Sequence, residues 1–108
     1  MGRNILRVCV FALVLGVAMP AGAVRVFGVY DCGHWRNNAY RDLAQTWVMG
    51  YMSGLNAAYA PRSGTDPLEK LNSSEQVIAW MDNYCSANPL SSVSDGAYLL
   101  YYTLTNKK

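Results

Sequence analysis

The cysteines constrain this 108-residue chain more tightly than any other feature. There are three, Cys9, Cys32 and Cys85, and the first lies in a segment laid out like a secretion signal. Arg3 and Arg7 open that segment, an apolar run from Val8 to Ala18 follows, and Pro20 precedes the small triplet Ala21-Gly22-Ala23. A basic start, an apolar middle and small residues at the end are what a signal peptidase reads, so residues 1–23 are expected to be removed. The apolar run is too short to cross a bilayer comfortably, which argues against a retained anchor. Cys9 is not at the cleavage junction, so no lipoprotein signal is read. Export to the periplasm or beyond leaves Cys32 and Cys85 as a lone pair in an oxidising compartment, where two cysteines normally bond. That bond closes a loop of about 54 residues and is worth roughly 4 kcal/mol in the chain-entropy model, comparable to the net stability of many small domains. A reactive thiol pair is the weaker reading, because no Cys-x-x-Cys spacing is present.

The expected mature chain, residues 24–108, is the size of one small domain whose core benefits from a staple. Nine Lys+Arg and seven Asp+Glu become seven of each once Arg3 and Arg7 are removed. The sequence pI of about 8.5 therefore belongs to the whole chain. A mature domain near neutrality, with no basic stripe, is not built for nucleic acid.

Periodicity predicts an all-α bundle of three main helices, about 38–60, 74–88 and 92–105, behind an extended N-terminal arm. Val24 to Tyr30 alternates loosely, and Asp31-Cys32-Gly33 reads as a turn leading to Trp35. In the first helix Leu43, Trp47, Tyr51, Leu55 and Ala58 recur at three- and four-residue steps, widened by Val48, Met52 and Tyr59. Pro61 is expected to end it. Gly50, Gly54 and Ala57 form a second line of small residues. Each glycine costs about 1 kcal/mol of helix propensity against alanine, which suggests close approach by another element. Membrane dimerisation is the other use of such a line, but Arg41, Asp42, Gln45 and Asn56 make the helix too polar to span.

Pro61 to Asn72 is a loop with room for a short turn at Pro67 to Leu71. Ser73 and Gln76 fit a capping box for the second helix. Val77, Met81, Tyr84 and Cys85 share one face of it, flanked by Ile78 and Trp80, and Pro89 stops it near Asn88. Ser91 or Ser92 caps the last helix, in which Val93, Ala97, Leu100 and Leu104 keep the helical period. Thr105 to Lys108 is a polar tail.

The chain is poor in chemistry. His34 is its only histidine, and its nearest thiol, Cys32, is expected in the disulfide. No nucleophile elbow or glycine-rich phosphate loop appears. One histidine and two cross-linked cysteines cannot make a zinc site. The carboxylates are not spaced as a glycosidase pair. Asp82, among Trp80, Met81 and Tyr84, is read as a helix-surface or capping residue. No enzyme and no cofactor are expected.

Aromatics are plentiful instead. Eight Tyr and three Trp all fall after residue 23. Trp47 and Trp80 are assigned to the core. Tyr59, Tyr98, Tyr101 and Tyr102 are expected to stay partly exposed, since Tyr101 and Tyr102 are neighbours about 100° apart on a helix. Such tyrosines are either partner anchors or amphipathic fillers with wet hydroxyls.

Three blocks resemble a known group. Cys32-Gly33-x-Trp35, Trp47-x-x-Gly50-Tyr51-x-Ser53-Gly54-x-Asn56 and Trp80-x-Asp82-x-Tyr84-Cys85-x-x-Asn88-Pro89 are similar to small exported helical proteins of the Rap/Tai immunity group. That group is distantly similar to acid-stress chaperones of the HdeA type. The resemblance spans nearly all of the mature chain and implies a helical fold. It also implies a protein partner, a peptidoglycan amidase effector delivered by type VI secretion, which the immunity protein binds and blocks. An HdeA-type role implies instead a homodimer that loosens in acid, and an envelope role of another kind is the third option. The blocks identify no effector-contacting residue, and Pro61 to Asn72 is only a candidate loop.

Overall fold

The computed structural model describes residues 25–106. The expected leader, residues 1–23, lies outside them, as does the end of the tail. The described chain is helical, with α1 Cys32–Trp35, α2 Arg41–Ser63, a 3-10 turn Pro67–Lys70, α3 Ser74–Ala87 and α4 Val93–Thr105. The three long helices stand where periodicity puts them, behind an irregular N-terminal arm that bends at Phe27-Gly28, and Cys32 is bonded to Cys85. No helix among the described residues is long and apolar enough to cross a membrane.

Several boundaries differ from expectation for local reasons. Helix α2 starts at Arg41 because Asn37 occupies the preceding residues: its Oδ1 accepts from the Ala39 N–H at 2.8 Å and its carbonyl from those of Tyr40 and Arg41. Pro61 does not end α2 but sits inside its last turn. There the helix is finished by other donors. Arg62 Nε donates to the Ala58 carbonyl at 3.1 Å, and the Gly64 N–H to that of Ala60 at 3.0 Å. Gly64 stops the helix by turning left-handed at φ 80°, which favours glycine. The expected capping box at Ser73 is absent: the Ser73 side chain makes no capping bond. Gln76 Oε1 instead accepts from the Asn72 N–H at 2.6 Å. Ser92 is the cap of α4, its hydroxyl accepting from the Asp95 N–H.

Asp31 to Trp35, expected as a plain turn, is a capped helical turn. The Asp31 carboxylate accepts from the His34 N–H at 2.8 Å. Cys32 and Trp35 are both fully buried. Trp35, and neither Trp47 nor Trp80, is the core tryptophan; the other two are half-buried at its edge. The buried line of α2 is Ala44, Val48 and Met52, one position round from the predicted Leu43–Trp47–Tyr51 line, and Leu43 is 55% exposed.

Helix α4 packs against both α2 and α3, and Gly96 lets it come close to α3. A Cβ at Gly96 would lie 2.5 Å from Tyr84 Cδ2 and 3.0 Å from Met81 Cε. Among the described residues nothing lies within 4 Å of such a Cβ at Gly50 or Gly54. The intramolecular close packing predicted for them is not there; it occurs at Gly96, on a different helix.

Candidate binding surface

Most polar side chains of the three sequence blocks are consumed by the fold. The Trp35 indole N–H donates to Asp82 Oδ1 at 2.8 Å, and Arg41 Nη2 donates to the same oxygen at 2.9 Å. Arg41 also donates to the Trp35 carbonyl at 3.1 Å, with its guanidinium carbon 5.4 Å from the Trp35 ring centre. Asp82 is thus neither a bare surface residue nor a cap: it ties α1, α2 and α3 together. Asn56 does the same at the far end, its Oδ1 accepting from the Tyr101 hydroxyl at 2.8 Å and its amide donating to Asp66 Oδ1 at 2.8 Å. Asn88 closes α3 by donating to the Tyr84 carbonyl at 2.9 Å. Pro89 follows it, exposed, in the turn leading to α4.

His34 is likewise engaged. Its Nδ1 lies 2.9 Å from Asp31 Oδ1, and its ring sits edge-on between Tyr30 and Tyr40. The His34 backbone N–H, together with the ring beside it, holds the Asp31 carboxyl below its ordinary pKa despite some desolvation. Among the described residues no three His, Cys, Asp or Glu side chains gather as a metal site.

The aromatics divide between the two readings given to them. Tyr101, expected at the surface, is only 5% exposed. Its ring packs edge-on to Tyr59, itself half-buried, with centres 6.0 Å apart. Burial, helped by Tyr59 and Asp66, raises the Tyr101 pKa. Neighbouring Tyr102 faces out at 57% exposure, and Tyr98, one turn earlier, at 53%. Their rings lie nearly parallel, 17° apart, with centres at 6.5 Å. On α2, Trp47 stacks on Tyr51 at 4.9 Å, and on α3 Trp80 stacks on Tyr84 at 5.6 Å. Each pair is spaced by four residues, the step that puts two side chains on one helix face.

These pairs make the surface. Tyr51 adjoins the outer face of α4: burial raises its pKa first, and Tyr98 and Asp95 raise it further. On the other side, the Trp47 indole N–H donates to the Phe27 carbonyl at 2.9 Å. That bond brings the arm alongside α2 and leaves Phe27 itself 84% exposed. Arg25, Phe27, Trp47, Gly50 and Tyr51 line an open groove of about 430 Å³ there. A second, apolar groove of about 240 Å³ opens between α2 and α3, lined by Met49, Met52, Leu71 and Val77 among others. The Pro61–Asn72 segment, expected as a loop but made of the last turn of α2, the 3-10 turn and their connections, borders both this groove and a larger one beside Lys70 and Leu104.

The sequence therefore identified Tyr59, Tyr98 and Tyr102 as partly exposed and misplaced Tyr101, Trp47 and Trp80. Phe27, Leu43 and Leu99 were overlooked as exposed apolar residues. The available signal was the arm's Phe27-Gly28 pair, with a glycine at φ 66° turning the chain beside Trp47. No family model, curated protein or solved structure matches this chain.

Proposed function

We propose that the chain is an exported, non-enzymatic protein-binding domain, and that it serves as an immunity protein which binds and blocks a peptidoglycan amidase effector of type VI secretion. The observation that carries this reading is the aromatic surface made by the exposed Tyr98 and Tyr102 and the half-buried Trp47 and Tyr51. Large, rigid, amphipathic rings are the favoured anchors of protein interfaces. The surface belongs to a scaffold whose Asp82, Asn56, Asp31 and His34 are spent on internal bonds, which leaves little for catalysis. Export is supported by the leader pattern and by the disulfide. The immunity assignment rests on the resemblance of the three sequence blocks. Co-expression with a cell-wall amidase encoded beside the gene tests it: protected growth and a co-purifying pair are expected. An unprotected culture with every adjacent toxin, and no captured partner from the periplasm, overturns it.

One observation favours an acid-responsive chaperone as the second reading. The Asp31 carboxylate caps α1 through the His34 N–H and has its pKa lowered by that bond, so acid withdraws the cap at the stapled end. Unchanged circular dichroism and unchanged client aggregation between about pH 7 and pH 2 would end that reading.

A further inference from the structure

The face presented by α4 contains a charge with no structural employment. From Asn83 to Asn106 the sequence has one charged residue, Asp95. Its backbone N–H is bonded to Ser92, but among the described residues its carboxylate takes part in no hydrogen bond or ion pair. Asp31 and Asp82 are both in ion pairs and Asp66 accepts from Asn56; of the carboxylates without such a bond, Asp95 is the one that shares a helix with the stacked Tyr98–Tyr102 pair. Tyr98 follows Asp95 by three residues and Tyr102 follows Tyr98 by four, so the carboxylate and the stacked phenols occupy one side of the helix. Tyr51 of α2 flanks them closely enough for both Asp95 and Tyr98 to act on its hydroxyl.

A carboxylate beside exposed ring faces is the recognition chemistry of a guanidinium. The planar cation stacks on a ring and donates paired hydrogen bonds to the carboxylate, and both terms strengthen as a partner displaces water. An ammonium makes the charge contact without the fork or the stacking. Neither an apolar helix nor an acidic segment satisfies Asp95, because burying an unpaired carboxylate is costly. We propose that the Asp95–Tyr98–Tyr102 face, with Tyr51 at its edge, is an interaction surface for a protein partner that inserts an exposed arginine as its anchor. The inference rests on the protein-binding reading above and adds to it the binding face and the partner's anchor chemistry.

The test uses the full mature chain as bait for random dodecapeptides displayed on phage, with Asp95→Asn and Tyr98→Ala variants as parallel baits. Both positions are exposed, and a circular dichroism melt for each variant confirms that it folds. The expected result is enrichment of arginine-containing peptides, with affinity reduced about tenfold by either substitution. Replacing the peptide's arginine by citrulline should cost a similar factor against the wild type and almost nothing further against Asp95→Asn, the coupling that a double-mutant cycle isolates. Enriched peptides without arginine, peptides that bind the Asp95→Asn bait equally well, or no enrichment over that bait each overturn the inference. A toxin blocked as well by the Asp95→Asn, Tyr98→Ala double variant as by the wild type also overturns it, while leaving the protein-binding reading in place. Failure of the wild type to protect or capture anything counts against that reading alone.

Discussion

The two ends of the bundle are closed by different chemistry. At one end the start of α2, the end of α3 and the start of α4 meet around the Cys32–Cys85 bond. Trp35 is buried beside it, Asp82 collects two donors, and the arm is laced to α4 through Cys32 N–H to Ser91 and Val93 N–H to Tyr30. At the other end there is no covalent tie. Asn56 joins Tyr101 to Asp66, and Lys70 Nζ donates to the Leu104 and Asn106 carbonyls at 2.8 and 2.7 Å, closing α4. A short arm has too little apolar surface to hold itself down, so it needs the crosslink. The loop at the far end is anchored by neighbours already in place, and hydrogen bonds suffice.

Removing the crosslink should therefore be the largest single perturbation. The Cys32→Ser, Cys85→Ser double variant is expected to lose about 4 kcal/mol in urea unfolding. Its arm should also become open to limited proteolysis while α2 to α4 stay helical. A loss under about 1 kcal/mol, with the arm still protected, would mean that the stapled end depends on its bond no more than the far end does.

Most of this architecture could be read before folding, because two cysteines and three helical periods are strong local signals. Trp35 was not, since a four-residue helix has too few positions to show a period. The core line of α2 was displaced for a related reason. Leu43, Trp47 and Tyr51 outweigh Ala44, Val48 and Met52 in apolar bulk, yet the smaller residues are the buried ones, while Trp47 and Tyr51 stay at the core's edge and Leu43 is exposed. Asp82 and Asn56 were seen as block residues, but their partners lie 41 to 47 and 10 to 45 positions away, and no spacing rule reaches that far. The exposure of Tyr98 and Tyr102 followed from helical geometry alone. The choice of Tyr101 over Tyr102 for the core did not, because it depends on Asn56 standing opposite.

The next largest effect separates two kinds of glycine. Gly96→Ala places a methyl against the Tyr84 ring and should cost about 1–3 kcal/mol, the range for overpacking a close contact. Gly54→Ala puts the same methyl into open space and should gain about 0.5–1 kcal/mol through helix propensity. Paired thermal melts check both signs at once. If Gly54→Ala were the destabilising one, α2 would have a close neighbour on that face after all.

At the unstapled end the expected loss is smaller. Asn56→Ala leaves the Tyr101 hydroxyl without its acceptor at a nearly buried ring and should cost about 1–2 kcal/mol. Tyr101→Phe should cost about 1 kcal/mol. The double variant tells whether the two act as one unit. Because the substitutions share one hydrogen bond, the combined loss should fall short of the sum. Full additivity in urea titrations would mean that Asn56 acts on the loop through Asp66 and not on α4.

The smallest effect returns to the stapled end and concerns pH. Asp31 caps α1 with its carboxylate, and its pKa is lowered in the folded state by the His34 backbone N–H first and by the His34 ring after it. A depressed carboxylate pKa contributes stability that is complete above the unfolded value, about 3.9, and is lost as pH falls through the folded value. The wild type should therefore lose stability more steeply than Asp31→Asn below about pH 4, with the two profiles running parallel above it. Denaturation midpoints measured from about pH 5 to pH 2 read this difference directly, and the other carboxylates cancel between the two proteins. Identical acid limbs would show that the crosslink holds α1 in place whether or not its cap is ionised, making the covalent tie sufficient by itself at that end.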